Sequence, residues 1–419
     1  RLVPGPPVKW KAYTPTLLAV GERFRLCIVP EDRWGNPSNL ASETVRLIAI
    51  GPIEGLPEEV TFEPGMATMV LDNLQVTEPC HPLIALERPD GTSLGHSNAL
   101  AVVESASLRH YWGDLHGQSN ETVGTNTVAD YFRFARDRAF VDMVAHQGND
   151  FQIDDALWAE INRLAAEYDE PGRFVALPAY EWSGNTGMGG DRNVYFATEG
   201  RPIRRSSRVL LDETTGEETD CHRVTDLFEA LQGEDAVVIA HVGGRYADLA
   251  VGHDGRIERA VEIHSCWGTF EWLLFDAFDL GHRVGVVCHS DDHKGRPGAA
   301  YPGAATFGAI GGLTCYAMAK LDRASLFQAL RARRHYGTTG TRLFLDVRAS
   351  FDGGAELYAD DPKLGPTTKT PCAEAVMGDI VRTDATEVAL SVFALGSDVI
   401  ERLTVFNGKT PVAVWRPFG

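Results

Sequence analysis

Five short apolar runs between residues 111 and 293 each deliver a histidine or an acid at their end, and no other feature of the chain limits its fold as strongly. They are Tyr111-Trp-Gly-Asp-Leu-His-Gly-Gln-Ser119, Val141-Asp-Met-Val-Ala-His146, Phe174-Val-Ala-Leu-Pro-Ala-Tyr-Glu181, Ala236-Val-Val-Ile-Ala-His241 and the run that ends in Cys288-His-Ser-Asp-Asp-His293. Apolar stretches of this length, rich in valine and isoleucine, read as strands buried on both faces. Polar side chains that arrive just where such strands leave the sheet stand where α/β barrels keep their chemistry. One or two such endings arise by chance; five predict a shared site.

The segments between the runs supply the rest of the fold. Apolar residues recur at helical spacing over residues 128–140, after the N-cap candidates Asn126 and Thr127, and again over 154–168. Further helices are expected at 224–231, 269–278 and 323–334, with strands at 237–240, 260–263 and 284–288. Strand alternating with helix predicts parallel βα units, in a number that fits a barrel over residues 109–341. Ahead of it, β-prone runs at 16–20, 24–29, 44–50, 83–86 and 99–103 are separated by turn clusters such as Asp32-Arg-Trp-Gly-Asn-Pro37. Residues 1–108 therefore read as a β-sandwich of immunoglobulin-like size. After His335-Tyr-Gly-Thr-Thr-Gly340 strands return at 342–347, 388–393 and 402–406, which predicts a small β-domain over 342–419 with a loop at 361–371.

Composition narrows the partner. A net charge of -19 argues against nucleic acid or an anionic membrane surface, both of which need a basic face. No run approaches about 20 uninterrupted apolar residues, so no membrane span is expected. A small-molecule substrate is the expected partner, with the oligomeric state open. The seven cysteines form no CxxC pair and read as buried thiols, which favours a reducing, cytoplasmic compartment. The chain opens on Arg1, so a removed leader stays open as well.

Imidazole and carboxylate at strand ends suit Zn, Mn or Fe, and an ion so held turns water into hydroxide near neutral pH. Asp291-x-His293 and His116-x-Gln118 each put two side chains on one side of an extended segment. Ser119, Ser183 and Ser290 lie near the motifs but none sits in a G-x-S-x-G elbow, and Cys288 beside His289 reads as packed. Arg192, Arg245, Lys294 and Arg296 surround the expected site, and Arg245 and Arg296 are the candidates to grip an oxyanion on the substrate. The stretch Ser183-Gly-Asn-Thr-Gly-Met-Gly-Gly190 lacks the Gly-Lys-Ser/Thr of a phosphate-binding loop and reads as a loop beside the pocket.

Taken in order, Asp114-x-His116, His146, Glu181, His241 and Asp291-x-His293 resemble the motifs of the PHP (polymerase and histidinol phosphatase) superfamily. Tyr111-Trp-Gly-Asp-Leu-His, Glu181-Trp-Ser-Gly, Arg192-Asn-Val-Tyr-Phe196, Ser290-Asp-Asp-His293 and Tyr336-Gly-Thr-Thr-Gly340 resemble its DUF3604 branch, related to the CehA/McbA metallohydrolases. The resemblance runs from Arg109 to about Gly340. It implies an α/β fold, a distorted (β/α)7 barrel flanked by the N-terminal β-sandwich and the small C-terminal β-domain, with up to three metal ions at the carboxyl ends of the strands. It also implies His116 as a ligand from the first strand, Glu181 as a carboxylate bridging two ions and Asp291 as a ligand of one. His146, His241 and His293 would be further ligands, and Asp114 would orient a ligating imidazole.

The chain departs from that pattern at three places. Gln118 stands where the second His of an HxH pair is usual, no residue near Gly124 replaces a further His, and Asp191 precedes Arg-Asn-Val where relatives offer His. One or two ions, Mn or Zn with Fe as a third option, are therefore expected in place of three. Gln118 and Asp191 are kept in the ligand set and His264 as a substitute. The leading expectation is a metal-dependent hydrolase of a small anionic ester, a phosphoester first, with a carboxylic ester, carbamate or lactone as the alternative on the same site. A catalytically silent binding or scaffold module is the rival of another class: Gln118 supports it, and the cost of burying Glu181 and Asp291 without an ion opposes it.

Overall fold

The computed structural model describes residues 3–212, 216–302 and 307–418. Its N-terminal strands form two antiparallel sheets that pack together, and a short parallel pair, Leu17–Ala19 with Ala101–Val103. One sheet contains Lys9–Tyr13, Arg23–Glu31 and Met69–Gln75, and the other Glu59–Phe62, Glu43–Ile50, Leu83–Glu87 and Ser93–His96. Side chains alternate along each strand, so Trp10, Leu26 and Ile28 of the first sheet meet Val45, Phe62 and Leu86 of the second in one buried cluster. The indole of Trp10 stands edge-on to Phe62 with ring centroids 4.8 Å apart.

The central strands do not close into the single ring that the resemblance implies. Among the described residues they divide into two sheets, one ordered Val175–Leu177, Met143–Ala145, Arg109–Asp114, Leu313–Met318 and His335–Thr338. The other runs Ala179–Trp182, Arg192–Phe196, Ala236–Ala240, Glu258–Ser265 and Gly268–Thr269, with Gly285–Cys288 also paired to Glu258–Ser265. Pro178 explains one seam: it has no N–H to give to a ladder, so the run that reads as one strand from Phe174 to Glu181 breaks there and passes from one sheet to the other. At the second seam, Gly337 lies against Cys288 so closely that a Cβ would come within 2.3 Å of its Sγ, yet no ladder joins the two strands.

Both faces of these strands are buried, which is why their sequences are continuously apolar. Met143, Ala145, Val175, Leu177, Tyr195, Val237 and Ile239 form one cluster together with Leu115, Val287 and Tyr316. The alternate residues Val144, Ala176, Val194 and Val238 join a second cluster with helix residues such as Tyr131, Phe132, Ile161 and Leu164. Thr127 caps the helix Val128–Phe134 by accepting from Asp130 N, and the helix runs on as a π-turn over Ala135–Ala139. Asp154 caps Asp155–Tyr168 in the same way, accepting from Leu157 N at 2.7 Å. Val224–Ala230, Glu271–Asp279 and Arg323–Arg331 are the remaining α-helices among the described residues, close to where the periodicity places them.

The C-terminal part contains the long strand Phe344–Tyr358 paired with Lys369–Val376, Ile380–Arg382 and Val388–Leu395, and a separate hairpin Leu403–Asn407 with Thr410–Trp415. All seven cysteines are free thiols, five of them buried. No helix among the described residues is long and apolar enough to cross a membrane.

Candidate metal centre

His116 leaves the end of Arg109–Asp114, Glu181 lies within Ala179–Trp182 and His241 directly follows Ala236–Ala240. Their donor atoms all lie within 4.8 Å of one another. The two oxygens of Glu181 divide between the imidazoles: Oε2 is 3.9 Å from His116 Nε2 and Oε1 is 3.7 Å from His241 Nε2. Asp291 adjoins the group through Oδ1, 3.3 Å from His116 Nε2 and 3.2 Å from His293 Nε2. These separations are close to those of two donors sharing one ion at about 2.0–2.2 Å.

The donor set fits a divalent ion on a further ground. His116 Nε2 and both ring nitrogens of His241 are buried with no hydrogen-bond partner among the described residues. A buried polar atom left unpaired costs about 1–3 kcal/mol, and here three such atoms sit on two imidazoles beside two carboxylates. Burial and the neighbouring His116 push the pKa of His241 down to about 4, so its ring is neutral and carries a lone pair. Burial opposes charge on His116, but Asp291, Glu262 and Glu181 outweigh it and raise its pKa well above the ordinary value. Burial likewise opposes charge on Asp291, yet His116 and His293 hold its pKa below the usual carboxylate value.

The partner that orients His116 is Glu262, which the sequence reading missed. Glu262 Oε1 accepts from His116 Nδ1 at 3.0 Å and Oε2 from His289 Nδ1 at 2.8 Å, while His289 Nε2 bonds the hydroxyl of Tyr316 at 3.0 Å. With Nδ1 engaged, His116 turns Nε2 towards Glu181 and Asp291. The one available signal was an acid inside the apolar run Val261-Glu-Ile263, a position tolerated only when the charge is paired. Asp114 instead holds backbone: Oδ1 accepts from Ser290 N at 2.8 Å and Oδ2 from Gly298 N at 2.6 Å, which ties down the loop that carries Asp291 and His293.

The other expected residues take varied positions. Gln118 donates from Nε2 to Glu181 Oε2 and Asn149 Oδ1, both at 3.2 Å, while its carbonyl oxygen accepts from Thr122 Oγ1 and Val123 N. Its amide hydrogens thus face the cluster and its oxygen faces away. His146 bonds Ser119 Oγ at 2.9 Å through Nε2, burial pushes its pKa down to about 3, and it is not among the three converging side chains. Asp191 receives both Arg245 Nε and Arg245 N at 2.8 Å, and burial and Glu181 raise its pKa well above the ordinary value. His264 has both nitrogens occupied, by Thr269 Oγ1 at 2.7 Å and Ile310 O at 2.9 Å, because the ladder slips by one residue between Glu262 and His264 and the two no longer share a face. Arg296 points away from the pocket, its guanidinium on the carbonyls of Trp34 and Gly35 in the N-terminal sandwich.

A pocket of about 570 Å³ opens over the cluster, with Glu181, Asp291 and His293 lining it beside Arg245, Trp267 and Phe307. Trp267 and Phe307 stack with centroids 3.8 Å apart, and the Arg245 guanidinium lies over Phe151. Trp112 and Trp182 are core residues, whereas Trp272 is exposed and touches Tyr246. Burial pushes the Cys288 thiol up in pKa, in keeping with a packed side chain.

A family model described as a protein of unknown function (DUF3604) matches residues 92–245. That span holds His116, Glu181 and His241 and ends before Asp291. An uncharacterized protein of Chlamydia pneumoniae is 23% identical over 387 residues, covering 83% of this chain and 59% of its own length. One from Chlamydia muridarum is 23% identical over 383 residues, covering 83% and 58%. The chain therefore spans under two thirds of the length of the curated relatives it matches. Among solved structures, a two-domain protein of Bacteroides vulgatus containing a predicted PHP-like metal-dependent phosphoesterase aligns with a TM-score of 0.41 at 10% identity, over 71% of this chain and 89% of that one.

Proposed function

We propose that the chain is a metal-dependent hydrolase of a small anionic ester, with a divalent ion held by His116, Glu181, His241 and Asp291 and with His293 beside it. The observation that carries this reading is the set of buried, unpartnered nitrogens on His116 and His241 beside the carboxylates of Glu181 and Asp291. A bound ion supplies Lewis acidity to the ester oxygen and lowers the pKa of water towards about 7. The chain's own side chains set the geometry. Glu262 fixes the His116 ring, Gln118 and Ser183 hold the two oxygens of Glu181 at 3.2 and 3.3 Å, and Asp291 fixes His293. Arg245, with Nη2 3.8 Å from Glu181 Oε1, stands at the pocket wall as the group that receives a substrate oxyanion. Trp267 and Phe307 line the same pocket as a stacked aromatic pair.

A phosphoester is the first substrate class and Mn or Zn the first choice of ion. One observation favours a carboxylic ester, carbamate or lactone as the second reading. Arg296 is turned to the sandwich and Arg245 is already engaged by Asp191, so of the basic groups expected at the pocket Lys294 and a partly neutralised Arg245 line it, less than the charge expected for a phosphate dianion. The test is elemental analysis of the purified chain, then a screen of phosphate, carboxylate and carbamate esters with Mn2+ and Zn2+, in wild type and Glu181→Gln. Uptake and turnover that vanish in Glu181→Gln support the hydrolase. Ion uptake without turnover of any ester would favour a binding module, and no uptake of either ion would end the reading.

A further inference from the structure

Arg296 is buried, three residues beyond His293, and its side chain bridges to a different part of the molecule from the one that holds its backbone. We propose that the N-terminal sandwich is a positioning element for the ion-binding loop and that Arg296 is the positioning residue through which it acts. The proposal deepens the metal reading of Asp291 and His293 and rests on it.

Between Cys288 and Leu313 the described residues contain no helix or strand, so the loop that bears Asp291 and His293 depends on its contacts. Its backbone is unusual as well: Asp291 adopts φ 47, Gly295 φ 64 and Gly298 φ 78. A left-handed aspartate persists only where its surroundings determine it. From the central domain come Asp114, which holds Ser290 N and Gly298 N, and Asn126, which holds Lys294 O at 2.9 Å. From the sandwich come the carbonyls of Trp34 and Gly35, which accept from Arg296 Nη1 and Nη2. Tyr301 extends this contact. Gly35 packs on its ring so tightly that a Cβ would come within 2.8 Å of Cδ2, Lys9 Nζ donates to its hydroxyl at 3.0 Å, and Lys11 Nζ lies 4.3 Å from the ring centroid.

The sandwich side of the contact is rigid. The carboxylate of Asp32 accepts from Gly5 N at 3.0 Å, Trp34 N at 2.8 Å, and Asn36 N and Nδ2 at 2.9 Å each, so the turn that offers the two carbonyls is fixed by its own acid. The loop side leads straight to the centre. Arg296 N donates to Asp292 Oδ2 at 2.6 Å, the Asp292 carbonyl accepts from Gln118 N at 2.8 Å, and Asp291 N donates to the carbonyl of His116 at 2.9 Å. A shift of Arg296 is thereby carried to Asp292 and, through it, to Asp291 and the strand end that holds His116 and Gln118. An apolar contact would join the two parts equally well but would not fix direction, whereas a planar cation on two fixed carbonyls does.

The test uses the full chain with Arg296→Met, Arg296→Lys and Gly35→Val, the last substituting a sandwich residue where a side chain would displace the Tyr301 ring. Mn2+ alone is titrated and free Mn2+ is read by electron paramagnetic resonance, while hydrogen exchange is followed over residues 289–298, with residues 43–50 as the control for the sandwich fold. Arg296→Met and Gly35→Val should each weaken Mn2+ binding about 10-fold, the scale seen when a group supporting a ligand is lost, and should speed exchange over 289–298. Arg296→Lys should fall between wild type and Met. Wild-type affinity and exchange in all three variants would overturn the proposal, as would a loss in Arg296→Met that Gly35→Val does not share while its sandwich stays folded. If a variant loses the sandwich, Arg296→Lys decides, and unchanged affinity and exchange there overturn the proposal. If wild type takes up neither Mn2+ nor Zn2+, it is the metal reading that fails, and the exchange data still show whether the sandwich holds the loop.

Discussion

Replacing Glu262 by Gln tests the architecture of the centre at a residue that touches neither ion nor substrate. Its carboxylate is 2% exposed and takes two charge-assisted hydrogen bonds, at 3.0 Å from His116 and 2.8 Å from His289. Burial works against that charge, but the two imidazoles hold its pKa below the usual carboxylate value. A glutamine of the same shape can accept from only one of the two rings and must turn its NH2 to the other. If His289 meets the NH2, it moves its proton to Nε2, where the Tyr316 hydroxyl accepts it at little cost. If His116 does, the proton moves to Nε2 and blocks the nitrogen that faces Glu181 and Asp291. The ion-bound state selects the first arrangement and must expend the difference. Loss of such an orienting group lowers metal affinity 10–100-fold, and the tolerant His289 side places this variant near about 10-fold, or about 1.4 kcal/mol. Without metal, losing one charged bond and weakening another should lower stability by about 1–3 kcal/mol. The assays are Mn2+ titration for affinity and urea unfolding in chelator for stability. An affinity within about threefold of wild type, with the stability loss present, would refute the claim that Glu262 sets the His116 tautomer.

Arg245→Met should lower kcat/KM for an anionic ester by about 1.5–3 kcal/mol while a neutral ester is turned over nearly as before, and equal losses on both would remove Arg245 as the anion grip. His335 is buried, bonds Val286 O at 2.9 Å and has its pKa pushed down to about 4 by burial. The unfolded chain therefore binds more protons between pH 6.5 and 4, so up to about 3 kcal/mol of stability present at neutral pH is lost as pH falls through that window. His335→Asn keeps a donor without the titration and should flatten stability against pH there in urea melts, and an unchanged slope would point to other groups. Phe62→Ala in the sandwich core should cost about 3–5 kcal/mol, read by thermal unfolding, and a loss below about 1 kcal/mol would mean that Trp10 closes the gap.

Much of this protein is written locally. Continuous apolar runs fix which segments become strands buried on both faces, and Thr127 and Asp154 announce helix starts that the structure keeps. Among the strands missed, Lys9–Tyr13, Glu59–Phe62, Met69–Gln75 and Ser93–His96 have outward residues that interrupt the pattern with charge, glycine or polar side chains; Leu313–Met318 and Thr410–Trp415 were missed as well, and Lys369–Val376 begins inside the expected loop at 361–371. The break at Pro178 was visible as a residue but not as a change of sheet, because proline forbids one hydrogen bond without saying where the chain goes next.

Strand periodicity and the limits of each apolar run are local properties, and they place His116, Glu181, His241, Asp291 and His293 within or just beyond the buried strands. Where those side chains and their neighbours point depends instead on how the sheets pack. Glu262 lies 146 residues from His116, and the slipped register beyond it turns His264 out to Thr269 and Ile310. Arg296 lies 262 residues from Trp34, and its guanidinium goes to the sandwich and leaves the pocket lining to Arg245 and Lys294. A side chain's direction at a strand end is set by whichever distant group satisfies its charge or hydrogen bond, and that partner is chosen when the sheets pack.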